Sequence, residues 1–247
     1  MILLIDIGNT RIKWATLDHD LSPPRAATYT SWNRADADAE LFGTLTRPER
    51  ILIANVGGDT IGQAVAEASQ ARWGLKPEFL HASKHAGGVR SGYKTPSQLG
   101  VDRWLALIAA HHELRRAACI ASVGTAMTID GVDASGLHVG GVIVPGPDLA
   151  KQSLLTNTSD LAFRSRTGAA NDSVFADNTL GAIEQGVVNM SAALIERFLA
   201  DMQIQIGQPV SLLLTGGASE RVATALRVPF QAVSDLVLRG LAVIARS

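Results

Sequence analysis

Met1-Ile-Leu-Leu-Ile-Asp6-Ile-Gly8-Asn9-Thr10-Arg11-Ile12-Lys13-Trp14-Ala-Thr-Leu-Asp18 opens the chain, and its reading decides the fold. Ile2 to Ile5 is an apolar run of strand length. Asp6 stands where that strand ends, and Gly8, Asn9 and Thr10 form a turn. Ile12, Trp14 and Leu17 then alternate with Lys13, Thr16 and Asp18, the pattern of a half-buried returning strand. A carboxylate at the mouth of a tight hairpin is costly without a partner such as a metal ion. Gly8 lets a ligand approach the backbone, Asn9 and Thr10 add donors, and Lys13 can aim a positive charge at the same spot. Together they point to a magnesium-phosphate site on a hairpin. A plain surface turn made by Asp and Asn is the alternative on these residues alone.

A second copy of the pattern strengthens the functional reading. Cys119-Ile-Ala-Ser122-Val-Gly124-Thr125-Ala-Met-Thr-Ile-Asp130 repeats the apolar strand, the polar residue, the glycine turn and the alternating return. With Gly8 set against Gly124, Ser122 falls opposite Asp6 and Thr125 opposite Asn9. Two related hairpins half a chain apart imply an internal duplication.

The 247 residues suffice for one large domain or two smaller ones, and 47% hydrophobic with 18% charged is an ordinary globular composition. A net charge of −1 offers no basic stripe for a duplex, so nucleic acid is not an expected partner. The lone cysteine, Cys119, falls in a core strand and reads as a small apolar residue. Asp6 interrupts the N-terminal apolar run before it reaches the length of a signal peptide, and Arg239 interrupts the apolar C-terminus. The expectation is a soluble cytoplasmic protein without a membrane partner.

Further along, strands are expected at 25–31, 50–56 and 77–80, with a weak helix near 34–46 and a firmer one over 60–73. Residues 82–95 are glycine-rich and read as a functional loop. Thr95-Pro-Ser-Gln98 has helix-start chemistry, a capping hydroxyl followed by proline, ahead of a helix that ends near Arg115. In the second half, strands are expected at 118–123, 126–132, 137–144, 211–215 and 228–233. A loop is expected over 156–176, a long helix over 178–202, another helix after Gly216-Gly217, and a closing helix over 236–245. The repeated order predicts an α/β fold of two duplicated domains, 1–115 and 116–247, facing a central cleft.

Six segments in order resemble a known family: Asp6-Ile-Gly-Asn-Thr10 with Lys13; Gly92-Tyr93; Leu99-Gly-Val-Asp-Arg103; Gly124-Thr-Ala126 with Asp130; Gly140-Gly-Val-Ile-Val-Pro-Gly146; and Leu214-Thr-Gly-Gly217. The chain resembles the type III pantothenate kinases, within the superfamily of sugar kinases, actin and Hsp70-type chaperones. That resemblance implies two ribonuclease H-like domains of the actin/Hsp70 ATPase type. It also implies transfer of the ATP γ-phosphate to the 4′-hydroxyl of pantothenate, the first step towards coenzyme A.

By position, the resemblance makes Asp6, Ile7, Gly8, Asn9, Thr10, Arg11, Ile12, Lys13 and Thr125 the ATP-binding residues, with Asp6 holding Mg²⁺ directly or through water. Asp102 becomes the base, while Tyr93, Gly100, Val101, Asp102, Arg103 and Thr179 meet pantothenate, Thr179 across a homodimer interface. Leu214–Gly217 lies beside the adenosine. The family's leading aspartate on the second hairpin, expected to bind a monovalent cation such as K⁺ or NH₄⁺, is here Ser122, which weakens that site. Without the resemblance, Asp102 and Arg103 would read as a favourable helix-start acid and a solvated base. The histidine pair His81 and His85 has no third ligand nearby and reads as solvated or core. No Walker A, His-Glu-x-x-His or Gly-x-Ser-x-Gly motif occurs. A kinase for another small alcohol and a non-catalytic nucleotide-binding regulator are the competing readings.

Overall fold

The computed structural model describes residues 1–165 and 175–247. It divides into two compact units. Unit 1 comprises Met1–Arg115, Ala134–Val139 and Asp235–Ser247; unit 2 comprises Arg116–Asp133 and Gly140–Ser234. The sequence places its boundary between 115 and 116, and two later segments return to unit 1.

Unit 1 is built on β1 (Ile2–Ile7), β2 (Arg11–Leu17), β3 (Arg25–Thr28), β4 (Arg50–Asn55) and β5 (Glu78–Phe79), in the sheet order β3-β2-β1-β4-β5. β1 is central, antiparallel to β2 and parallel to β4. Leu3, Leu4, Ile5 and Ile7 are fully buried, so β1 is covered on both faces, as its continuous apolar run requires. One layer of that cover comes from α1 (Arg34–Ala37), whose last turn widens through 38–42, and α2 (Asp59–Trp73), with Leu41, Phe42, Ile61 and Val65 in the core cluster.

Two hairpin strands, β6 (His85–Ala86) and β7 (Val89–Arg90), occupy part of the region expected to be a loop. Gly87 and Gly88, both at positive φ, make their turn. The expected cap at Thr95 is not made. Residues 96–98 form an isolated 3-10 turn without a side-chain bond from Thr95, and extended Leu99 separates it from α3 (Val101–Leu114), which Gly100 caps.

Unit 2 repeats the plan. Its strands are β8 (Ala118–Val123), β9 (Ala126–Val132), β10 (His138–Pro145, whose first residues count with unit 1), β11 (Ser211–Thr215) and β12 (Gln231–Ala232). The order β10-β9-β8-β11-β12 matches unit 1 position for position, with β8 antiparallel to β9 and parallel to β11. Cys119 is buried on β8, and burial pushes its thiol up to about 12, so it packs as an inert apolar group.

The helices of unit 2 are α4 (Pro147–Asn157), α5 (Ser159–Arg164), α6 (Thr179–Ile206) and the short α7 (Ser219–Ala223). Helix therefore replaces the expected loop over its first part, and residues 166–174 lie outside the described set. α6 runs past the expected end at 202 until Gly207, in the left-handed conformation, stops it.

The final helix, α8 (Leu236–Ala245), belongs to unit 1 and packs on α3. Their contact is close because Gly240 carries no side chain: a Cβ there would stand 2.2 Å from the Leu105 carbonyl oxygen. Backbone cannot yield as a flexible side chain does. Gly240→Ala is therefore expected to destabilise the protein by roughly 1–3 kcal/mol, the usual range for overpacking, and Gly240→Val by more. Denaturant unfolding measures it, and an alanine variant of unchanged stability would refute the close approach.

Candidate active site

The first hairpin supplies the frame of the site. Asp6 pairs in register with Lys13 on β2 and with Ala54 on β4, which puts acid and base side by side at the end of the central strand. The turn is closed by the Gly8 amide donating to the Arg11 carbonyl at 2.9 Å. It is braced from outside by Tyr29, whose hydroxyl donates to the Gly8 carbonyl. Asn9, Thr10 and Arg11 are exposed at the tip.

Asp6 itself is half-buried, and its carboxyl is pushed up to about 7. Burial is the largest cause; the Asp102 carboxylate raises it further, Lys13 pulls the other way, and Asp235 adds to the rise. Asp102 lies far along the chain in the first turn of α3. Its side chain folds over Gly100, where a Cβ would stand 2.6 Å from the Asp102 Oδ1. The fold thus brings Asp6, Lys13 and Asp102 into one electrostatic neighbourhood. Next to Asp102, the buried Arg103 donates from Nη1 to the Tyr93 hydroxyl at 3.0 Å. Gly100 and Val101 form the start of the same helix.

Asp235 was not visible in the sequence as a site residue. It accepts from Lys13 Nζ at 2.8 Å, both side chains half-buried, and it sits at φ 58, the left-handed region that a residue with a side chain seldom adopts. Nothing local in Val233-Ser-Asp-Leu236 announces this partnership, because its other half is 222 residues away. Tyr29 escaped notice for the same reason.

The remaining candidates lie in unit 2. Ser122 is half-buried on β8, in register with Thr128 on β9 and Thr215 on β11. Thr125 is exposed at the tip of the second turn, where the Gly124 amide donates to the Ala126 carbonyl. This turn spans 124–126 where the first spans 8–11, so it is one residue tighter. Thr179 opens α6 behind Asn178, whose side-chain oxygen accepts from the Gly181 amide at 2.9 Å.

The donor set of unit 1 suits Mg²⁺. Among the described residues no three His, Cys, Asp or Glu side chains converge tightly enough to hold a metal by themselves. Mg²⁺ at a kinase site needs only one or two carboxylates, with phosphate oxygens and water completing its shell. Asp6, crowded by two other carboxylates, fits that part.

A family model described as type III pantothenate kinase matches residues 2–201. The chain belongs to the type III pantothenate kinase family. Proteins named type III pantothenate kinase from Aromatoleum aromaticum and Nitrosococcus oceani are 40% and 36% identical to it. The matches cover all of this chain and 98% and 94% of those proteins. Among solved structures, a Campylobacter jejuni protein described as a Baf family transcriptional activator aligns over 99% of this chain and 97% of its own, with a TM-score of 0.57 at 22% identity. The Clostridium difficile activator of 2-hydroxyisocaproyl-CoA dehydratase, solved with ADPNP bound, aligns over 99% and 92%, with a TM-score of 0.54 at 11% identity. These two likenesses establish the fold, and the matched sheet orders agree with duplicated ribonuclease H-like domains of the actin/Hsp70 type.

The raised Asp6 pKa carries a measurable sign. Folding shifts this acid upward from its ordinary value of 3.8 to about 7, so the folded state holds the proton more tightly. Its contribution to stability is full below pH 3.8, declines as pH rises between the two values, and stays lost above pH 7. Asp6→Asn removes the titration. In the ligand-free protein, the stability of the Asn variant relative to the parent is expected to climb between pH 4 and 7 and then level off. Thermal melts across that range would show it; a difference independent of pH would mean that Asp6 is ionised throughout.

Proposed function

We propose that this kinase transfers the γ-phosphoryl group of ATP to the 4′-hydroxyl of pantothenate, giving 4′-phosphopantothenate and ADP, the opening reaction of coenzyme A synthesis. The observation that carries the residue assignment is the convergence of Asp6, Lys13 and Asp102 within one unit.

Asp102 accepts the proton as the hydroxyl oxygen bonds to the γ-phosphorus and the bond from that phosphorus to the β-bridging oxygen breaks. Residues 6–13 hold the ATP phosphates, the turn amides and the Asn9 and Thr10 side chains offering donors and Lys13 a positive charge. Asp6 would hold Mg²⁺, directly or through water, and the ion when bound would neutralise phosphate charge that builds up during transfer. Arg103 and Tyr93 receive the carboxylate end of pantothenate, with Gly100 and Val101 beside them. In unit 2, Thr125 is the exposed hydroxyl assigned to the phosphates and Leu214–Gly217 the stretch assigned to the adenosine. A cytoplasmic location accompanies this reading, and no helix among the described residues is long and apolar enough to cross a membrane.

Incubating the pure protein with ATP, Mg²⁺ and pantothenate should yield 4′-phosphopantothenate by mass spectrometry. Asp102→Asn keeps the shape without the proton acceptor, so turnover should fall by roughly 10²–10⁴ while ATP binding persists. Near-normal turnover would remove Asp102 from the base role. A regulator that only binds nucleotide would give no product with the parent protein either.

A homodimer accompanies this reading, with Thr179 completing the partner's pantothenate site. Its support is the apolar surface left uncovered on elements of unit 2: Ile143 on β10, Leu149 and Leu154 on α4, Phe163 on α5 and Met190 on α6 are all exposed. α4 and α5 both pack on α6, so the four helical side chains sit on neighbouring elements. Light scattering at micromolar concentration should give twice the 26.0 kDa chain mass. A fully active monomer would overturn the dimer.

Ser122 bears on a monovalent cation. At the place corresponding to Asp6, unit 2 offers a neutral hydroxyl flanked in register by two threonines. A hard cation prefers anionic or carbonyl oxygens, and losing a full negative charge weakens its hold. Dependence on K⁺ or NH₄⁺ is therefore expected to be weak. Titrating activity with KCl and NH₄Cl in sodium-free buffer compares the protein with Ser122→Asp. Saturation of both at the same low K⁺ concentration would contradict the expectation.

A further inference from the structure

Behind the Arg103–Tyr93 pair stands a residue to which neither the motifs nor the comparisons assign a role. The His138 ring stacks on the Tyr93 ring with centroids 5.6 Å apart and planes 20° from parallel. Tyr93 also meets Arg103, whose guanidinium carbon lies 5.7 Å from the ring centroid and whose Nη1 donates to the phenol oxygen. Arg103 and His138 are 5% and 1% exposed, so half-buried Tyr93 rests on two interior side chains.

The backbone holds the Tyr93 and His138 segments together. Gly92 presses so closely on residue 138 that a Cβ there would stand 2.0 Å from the His138 carbonyl oxygen. Two residues earlier, the Arg90 amide donates to the Gly136 carbonyl at 2.8 Å, and Arg90 bridges Leu137. The strap 89–93 is therefore fastened along residues 136–138. Those residues close the β9–β10 hairpin, yet they count with unit 1, whereas β9 and most of β10 count with unit 2.

We propose that His138 is a positioning residue for the acidic substrate: its ring fixes Tyr93, which in turn fixes the direction of the Arg103 guanidinium towards a carboxylate. This rests on the assignment of Arg103 and Tyr93 to pantothenate. A planar guanidinium recognises a carboxylate through a fork of fixed direction, so its orientation matters more than its charge alone. The proton acceptor proposed above is the Asp102 carboxylate and not one of the stacked rings, so loosening the stack should weaken capture of the acid before it affects proton transfer.

Two substitutions separate the ring from the polar atoms. His138→Gln keeps a polar side chain of similar reach without a ring, and His138→Phe keeps the ring without the nitrogens. The expected result is a KM for pantothenate raised roughly three- to tenfold in the Gln variant, the worth of one ring stack. KM for ATP and kcat should be nearly unchanged, and the Phe variant should return to the parental KM. Equal pantothenate KM values in the two variants, or a parallel loss of kcat and ATP affinity, would overturn the role of the ring. Arg103→Ala serves as the control on the underlying assignment. If it leaves the pantothenate KM unaltered, Arg103 does not bind the acid, and the inference falls with that reading rather than by itself.

Discussion

Ionising a carboxylate at the end of a strand that is buried on both faces costs free energy, and unit 1 is arranged around that cost. β1 is apolar at every fully buried position, so Asp6 is the one place where the central strand breaks its own pattern. The register of the hairpin sets Lys13 directly alongside. Lys13 does not simply neutralise Asp6, because it is also bound by Asp235, and Asp102 adds a further negative charge. The acids outnumber the base at this spot. A cluster with that balance is left short of positive charge, which a bound divalent cation would supply.

Unit 2 shows that the fold itself does not demand such a cluster. Its sheet has the same strand order and the same mixture of parallel and antiparallel pairs. Where unit 1 sets Asp6 against Lys13, unit 2 sets Ser122 against Thr128. A neutral hydroxyl pair satisfies the same backbone geometry without a desolvated charge. Charge at the end of β1 is thus not a requirement of the scaffold, and the duplicated halves differ at the candidate site.

Periodicity made the scaffold legible. β8 and β9 begin and end where alternation and the Gly-Thr turn place them, because strands buried on one or both faces advertise their register residue by residue. Local chemistry was less dependable. Thr95-Pro-Ser-Gln98 carries the composition of a helix start but forms a separate turn, since extended Leu99 intervenes before α3. What the sequence could not reveal is long-range partnership. Asp235, Tyr29 and His138 carry no motif of their own, and each acquires meaning only from a side chain or carbonyl that the fold brings alongside. The return of α8 to unit 1 is illegible for the same reason: an amphipathic helix shows that it will be buried, not against what.

Asp6 and Asp235 also share a physical character that explains why both stand here. One is an acid held near pH 7 by burial and crowding, the other a residue with a side chain held at φ 58. Each is costly in the ligand-free protein, and each would be relieved cheaply, by asparagine in the first case and glycine in the second. Retaining costs of that kind makes sense where a ligand recovers them. A cation bound at Asp6 favours the ionised form that burial disfavours, so part of the binding free energy goes to undoing a penalty already built into the fold. The backbone strain at residue 235 keeps a carboxylate on Lys13, where an unstrained glycine would leave the ammonium to swing. In the proposed role, stability is exchanged for a lysine and an aspartate set in place before phosphates arrive, and for a phosphoryl transfer such preorganisation is the larger part of the catalysis.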